Sequence, residues 1–546
     1  MTESARGTEQ DARALAQKLL TNKTCPGARV VRNWQNFDGT LSETTVFEQT
    51  QAVKEGDVRI NPIESAPPRC VKSRDYFSLE SRMTMNRIFR SYLEQAFLTP
   101  TELLHNAKEL ARLRDKDNLM PSAADRVATL QTKGSNEITP RQRREEIFAA
   151  VDQIYAQARR AEAQKLPKLE DRFSALMAKV AKLGGEAPEY LAMVVLAREL
   201  IGIRSWVGKL ARLSKLAAEE TETGATLLLD TVIADVMGSS VVQDILGAQP
   251  SLGSAIVAML DLADGKFDPT VSEAGETTAQ LNALLAQGRL PGTRNCLVDR
   301  ALRQLKSPQP LARNNPGREM EEYQKVLIRL LGPGGLLAGP EAAEAMTVRS
   351  GRFVEAGGAT GRRAAITNTV RVMPDKAHGV MYLAELSKTG FAQDHLGDIV
   401  KELDIVFSAR VIGELTRRTM SPRERLQSAT NAFNAAVSSA LPEEVKKRVA
   451  QHIDGVLERY LIDETVIEKL DNPADPLRDR AVRLVKFAGA GVLPEGRALA
   501  MARERIIKLL RQPNFDAHFV EGIVDPIKAQ KALRDFHQLL MKAGFR

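Results

Sequence analysis

Residues 349–369, RSGRFVEAGGATGRRAAITNT, gather three glycines, Gly357, Gly358 and Gly361, among four arginines, Arg349, Arg352, Arg362 and Arg363. Glycine-rich backbone can aim several N–H groups at one anion, and guanidinium forks match phosphate oxygens. These seven residues are therefore a candidate anion site, and a phosphate-bearing ligand such as a nucleotide is what they would hold. The segment is not a standard phosphate cradle. A P-loop requires G-x-x-x-x-G-K-[ST], whose lysine reaches the β- and γ-phosphates and whose hydroxyl binds magnesium. Here neither the lysine nor the following hydroxyl is present, and G-x-G-x-x-G is absent as well. The alternation in AITNTVRVM, residues 365–373, suggests a short strand paired with TVRSGRFVEA, residues 347–356. On that reading the glycines form an exposed turn of a small hairpin.

The other reactive side chains are sparse. Six histidines stand at 105, 378, 395, 452, 518 and 537. No H-E-x-x-H occurs and no two histidines share a helix face at i, i+4, so no metal is expected. His452 with nearby Asp454 has the residue types of a base and its carboxylate orienter, but a histidine on a helix surface is the plainer reading. Asp394-His395 matches the middle of a metal-dependent phosphohydrolase pattern and lacks its remaining ligands. No G-x-S-x-G nucleophile elbow is present. No catalytic residue and no cofactor is expected.

A second candidate surface is electrostatic. The formal net charge is +8, and residues 476–546 hold 14 Lys and Arg against 7 Asp and Glu. Arg497, Arg503, Arg505, Lys508, Arg511, Lys528, Lys531 and Arg534 form the candidate basic face. Such an end attracts an acidic partner, nucleic acid or an anionic membrane surface. Glu504, Asp479 and Asp535 interrupt it, aromatic platforms for single strands are missing, and no helix-turn-helix signature stands out.

These residues must be carried by helices. Hydrophobic residues make up 43% of 546 and aromatics only 5%, so a large core is available but sandwiches and barrels are disfavoured. Ala, Leu, Arg and Glu are helix formers. Three starts share a hydroxyl N-cap, proline at N1 and Glu or Gln at N3: Thr99-Pro100-Thr101-Glu102, Thr139-Pro140-Arg141-Gln142 and Ser421-Pro422-Arg423-Glu424. The hydroxyl accepts from the N3 amide, the N3 side chain accepts from the cap amide, and proline gives up an N–H that had no partner. The first two starts lie 40 residues apart, near the period of HEAT-type arrays, although one interval is not a repeat.

Apolar stripes predict helices over residues 9–20, 140–158, 169–183 and 188–220, the last running unbroken. Further helices are expected after His395 (Leu396 through Val411), after Ser421 (Leu426, Ala429, Phe433, Val437), after Pro442 and after Asp525 (Ile527, Leu533, Phe536, Leu539, Leu540). The fold class is therefore mainly α: an extended array or bundles of antiparallel amphipathic helices, with a loop-rich N-terminal arm and a small irregular or β-hairpin segment near 347–375. Expected regions are a loop-rich, partly disordered 1–90 with short strands near Val30 and Val58, a long-helix domain 91–237, short helices and loops over 238–393, and a helical domain 394–546 with the basic end.

Cys25, Cys70 and Cys296 are too far apart for a C-x-x-C site and fit a reducing compartment. The first twenty residues have no apolar run, so no signal or transit peptide is expected, and Asp230 and Asp235 argue against a transmembrane segment in 224–242. The expected function is a non-catalytic cytoplasmic scaffold or regulatory protein offering helical surfaces to protein partners. The alternatives are a nucleic-acid-associated regulator acting through the basic helices and a nucleotide sensor acting through residues 357–363. Nothing in the composition sets the oligomeric state.

Overall fold

The computed structural model describes residues 8–21, 27–35, 41–50, 59–63, 66–116, 118–134, 137–170, 172–313, 315–332, 334–354 and 357–545. The chain forms two compact units, residues 1–169 with 178–204, and residues 170–177 with 205–546. Both are mainly α.

Unit 1 opens with α1 (Glu9–Thr21), β1 (Gly27–Gln35) and β2 (Leu41–Thr50). The strands pair antiparallel from Gly27 opposite Thr50 to Gln35 opposite Leu41, with a register shift between Val30 and Val31. The Arg13 guanidinium on α1 donates to the Val46 carbonyl at 2.7 Å. Between these elements and α2 the described residues form only short turns, in keeping with the expected loop-rich arm. The strand near Val30 is present, and the one expected near Val58 lies outside the described residues. Then follow α2 (Leu79–Ile88), α3 (Arg90–Ala96), α4 (Pro100–Leu104), α5 (Ala107–Asp115), α6 (Leu119–Thr132), α7 (Pro140–Glu162), part of α8 (Phe173–Val180) and α9 (Pro188–Ile201). The run of closely spaced helices begins at residue 79, with the Ser78 hydroxyl accepting from the Ser81 amide. The core packs Leu93, Leu103, Leu113 and Ile154 together, each at most 1% exposed.

Unit 2 runs through α10 (Trp206–Glu219), α11 (Thr223–Met237), α12 (Val241–Leu246), α13 (Leu252–Ala263), α14 (Gly275–Ala286), α15 (Pro291–Lys306) and α16 (Glu319–Leu330). A two-residue pair, β3 (Leu331–Gly332) and β4 (Gly335–Leu336), precedes α17 (Gly339–Ser350), α18 (Gly358–Val372), α19 (Lys376–Leu386), α20 (Ala392–Leu403), α21 (Ile412–Leu415) and α22 (Pro422–Val437). The unit ends with α23 (Glu443–Asp463), α24 (Val466–Leu470), α25 (Leu477–Gly489), α26 (Arg497–Leu510), α27 (Phe515–Phe519) and α28 (Pro526–Lys542). All three expected capping boxes are formed, at Thr99, Thr139 and Ser421.

Several expectations need correction. The predicted helix over 188–220 is two helices, because Ser205 turns extended and its hydroxyl caps the Gly208 amide. The segment near 347–375, expected to be irregular or a β-hairpin, carries the end of α17, a 3-10 turn at Gly351–Phe353 and α18 in place of strands. In α18 the buried positions Gly361, Ala365, Ile366, Thr369 and Val370 recur at helical rather than strand spacing, so packing on one face overrides the β-branched run. The stripe after His395 breaks at Leu403, where a 3-10 turn over Asp404–Ser408 redirects the chain and leaves Val411 47% exposed. Val437 and Ile527, expected in core stripes, are 50% and 78% exposed.

Unit 2 is tied together by side chains that cap the helices of other layers. Free carbonyls at helix C-termini need donors, and free amides at N-termini need acceptors. Arg289 donates to the Ala217 and Glu220 carbonyls at the end of α10, and Arg300 to Met237 and Ser239 at the end of α11. Arg329 donates to Leu260 in the last turn of α13. At the other pole, Asp230 of α11 accepts from the Gly292 and Thr293 amides that open α15, at 2.6 and 2.8 Å. Burial pushes the Asp230 carboxyl above its ordinary range although the Thr293 and Gly292 donors pull it down. Asp454 of α23 caps α26 in the same way, through the Arg497 and Ala498 amides at 2.7 and 3.1 Å. A Cβ on Gly496 would stand 2.6 Å from the Asp454 carboxylate, so a larger residue there would push this cap aside.

Both described cysteines are buried and free. Burial pushes the Cys70 thiol up, and pushes Cys296 to about 12. Thiolate is the reactive form, so neither should react with iodoacetamide at pH 8 in the folded chain, and both should react in urea. Peptide mapping by mass spectrometry checks this; native labelling at Cys296 would contradict the burial.

Candidate functional site

The seven residues of the expected anion cradle do not converge. Arg349 sits on α17 and is 1% exposed. Its guanidinium donates to the Leu305, Gln309 and Ser307 carbonyls at 2.8, 2.9 and 3.0 Å, closing the C-terminus of α15, with Glu319 at 3.7 Å. It is a helix clamp, not an anion ligand. Arg352 adds a bond to the Lys306 carbonyl at 3.2 Å. Gly357 is the N-cap of α18, Gly358 takes φ +62°, and the buried Gly361 continues the helix with its amide on the Gly357 carbonyl. Arg362 and Arg363 point to α20. Arg362 Nε donates to His395 Nε2 at 2.9 Å, and Arg363 lies 3.3 Å from Asp398 Oδ1.

His395 is the centre of that second contact. Nε2 accepts from Arg362, so Nδ1 carries the proton and faces Asp398 Oδ2 at 3.3 Å. Phe391 packs on the ring with centroids 5.1 Å apart, and the residue has non-helical backbone angles inside α20. Both ring nitrogens are occupied, so this histidine bridges α18 and α20. His452 and Asp454 do not pair either. His452 Nε2 donates to the Ala409 carbonyl at 2.9 Å, while Asp454 caps α26.

The basic face is sorted by the fold into two groups. Arg503 is bidentate on Glu495 at 2.8 and 2.9 Å, and this bond holds the Glu495 carboxyl below its ordinary value. Arg505 and Arg480 share Asp471, which is 2% exposed. The other six, Arg497, Lys508, Arg511, Lys528, Lys531 and Arg534, are exposed, and no ion pair links them to a carboxylate among the described residues. On α26 the exposed positions are Arg497, Ala500, Glu504, Ile507, Lys508 and the C-cap Arg511, so Glu504 interrupts the basic face there.

On α28 the inner face packs Phe536 against Phe519, with ring centroids 4.6 Å apart, and Leu540 is also buried. The opposite face carries Ile527, Lys531, Arg534 and Met541 at helical spacing, all exposed. Val524, just before the helix, is 96% exposed, Ile527 78% and Met541 72%. Two cations without an ion pair among the described residues thus lie between exposed apolar side chains along one open helix face.

A cleft of about 1140 Å³ in unit 2 had no single-segment signature. Its lining comes from residues 249–271 and 325–337, with Phe267, Val271 and Ile328 beside the Arg329–Asp261 and Arg329–Asp264 pairs. Burial raises Asp264, but the bonds from Arg329 and Arg294 outweigh it and hold the carboxyl below its usual range. Among the described residues, no group of three or more His, Cys, Asp or Glu is placed to hold a metal, and no helix is long and apolar enough to cross a membrane. No family model, curated protein or solved structure matches the chain.

Proposed function

We propose that this chain is a cytoplasmic scaffold that docks an acidic, amphipathic segment of a partner protein on the outer face of α28. The observation that carries this reading is the mixture on that face: Ile527 and Met541 are open to solvent on either side of Lys531 and Arg534, and neither cation is paired with a carboxylate among the described residues. Exposed apolar groups rimmed by charge mark interaction surfaces, and a partner helix with acids flanking an apolar stripe would satisfy both kinds of group. Nucleic acid would use the cations alone. Buried free thiols fit a reducing compartment. The nucleotide-sensor reading loses support because Arg349 is spent on carbonyls and Arg362 on His395.

The test is fluorescence anisotropy of a labelled synthetic helix with leucines on one face and glutamates on both flanks, titrated with the full chain. Binding should weaken at least tenfold with K531E/R534E and also with I527S/M541S, and should fall between 50 and 300 mM salt. Tight binding of duplex DNA that ignores I527S/M541S would move the reading to a polyanion surface. Peptide affinity unchanged by both pairs would remove α28 as the docking face.

A further inference from the structure

We infer that unit 1 contains a binding site for a small neutral apolar ligand, in a half-enclosed cavity of about 100 Å³ lined by α2, α4, α5, α6 and α7. Three observations converge on it. The first is incomplete packing. On α6 the buried positions Ala123, Ala124 and Ala128 are small, and beside α7 the buried apolar residues fall into two clusters that only the partly buried Val127 and Phe148 join. Met120, Ala123, Val151 and Ile154 belong to the main core, whereas Ala124, Ala128 and Ile147 form a satellite cluster. Protein interiors seldom leave such a gap unfilled.

The second observation is the lining, which is almost wholly hydrocarbon, with Met85, Ile88, Leu110 and Val151 among its walls. The third concerns the polar groups at the edge. Arg143 is 1% exposed, and its guanidinium is already used by Gln131 Oε1 at 2.7 Å, Glu146 Oε2 at 2.6 Å and the Cys70 carbonyl at 2.8 Å. The Gln131 amide donates to the Pro67 and Pro68 carbonyls, the Cys70 thiol meets the Ser81 hydroxyl at 2.9 Å, and Thr84 donates to the Glu80 carbonyl. An edge that is satisfied from within offers water and charged head groups little. A dry apolar cavity of about 150 Å³ takes up benzene or xenon. The space here therefore suits a hydrocarbon group no larger than about a benzene ring.

The experiment uses the full chain with methyl-labelled methionine, titrated separately with xenon and with benzene. The methyl resonances of Met85 and Met120, which both line the cavity, should move saturably, and benzene should raise Tm. Ala124→Leu fills the space and should weaken both responses at least tenfold while leaving Tm without ligand at or above the wild-type value. Should that variant fail to fold, Met85→Ala enlarges the space and should admit toluene better than the wild type does. Met85 and Met120 resonances that stay still at saturating benzene would overturn the site, as would a wild-type response in a folded Ala124→Leu protein.

Discussion

Replacing Arg349 with methionine should lower the stability of unit 2 by about 3–5 kcal/mol, the range for removing one partner of a buried charged network. Methionine fills much of the same volume, so the loss isolates the hydrogen bonds rather than a cavity. The Leu305, Gln309 and Ser307 carbonyls would all lose their donor at the end of α15. A buried acceptor left without a partner costs about 1–3 kcal/mol. Because the side chain is 1% exposed, solvent cannot replace it without opening the packing of α15 against α17. Urea unfolding followed by the fluorescence of Trp206 in α10 measures the effect. A midpoint shift no larger than that of Arg363→Ala, whose side chain reaches only a half-exposed pair with Asp398, would show that the clamp carries no such weight.

Acid should destabilise unit 1 through His105. The ring is enclosed by Phe77 and Tyr190, with centroids 5.1 and 5.0 Å away, and Nδ1 donates to the Thr101 carbonyl at 2.8 Å. Burial is the main cause that pushes its pKa down to about 4. The sign follows from proton binding. Above pH 6.5 the ring is neutral both folded and unfolded, so it contributes no pH dependence. Between about 6.5 and 4 the unfolded chain takes up a proton that the folded chain refuses, and stability falls as pH falls. The loss accumulates to about 3 kcal/mol by pH 4. His105→Phe should flatten this part of the profile. It keeps the ring packing, and the Thr101 carbonyl still accepts from the residue 105 backbone amide. A wild-type slope between pH 6.5 and 4 in that variant would assign the acid sensitivity to other groups.

How much of this was legible beforehand depended on range. The capping boxes at Thr99, Thr139 and Ser421 were readable because cap, proline and N3 residue act within four positions of one another. The helical character of the chain was readable from periodicity for the same reason. The 347–375 segment was not, since its β-branched alternation favours a strand locally and only burial of Ala365, Ile366, Thr369 and Val370 on one face makes it a helix. The cavity of unit 1 was equally hidden: alanines at 123, 124 and 128 look like ordinary helix formers until α7 is laid against them.

The charges draw the line most sharply. From the sequence alone came a mainly α chain, its main helix starts and a basic end, because propensity, capping and net charge are local or additive quantities. Which cations remain open to a partner was decided by the tertiary structure. Arg349 is withdrawn by carbonyls 40 and 44 residues earlier, Arg505 by Asp471 34 residues away, and Lys531 and Arg534 by no carboxylate among the described residues. A guanidinium binds whatever acceptor the packing brings within about 3 Å, and no spacing rule in one dimension specifies that neighbour.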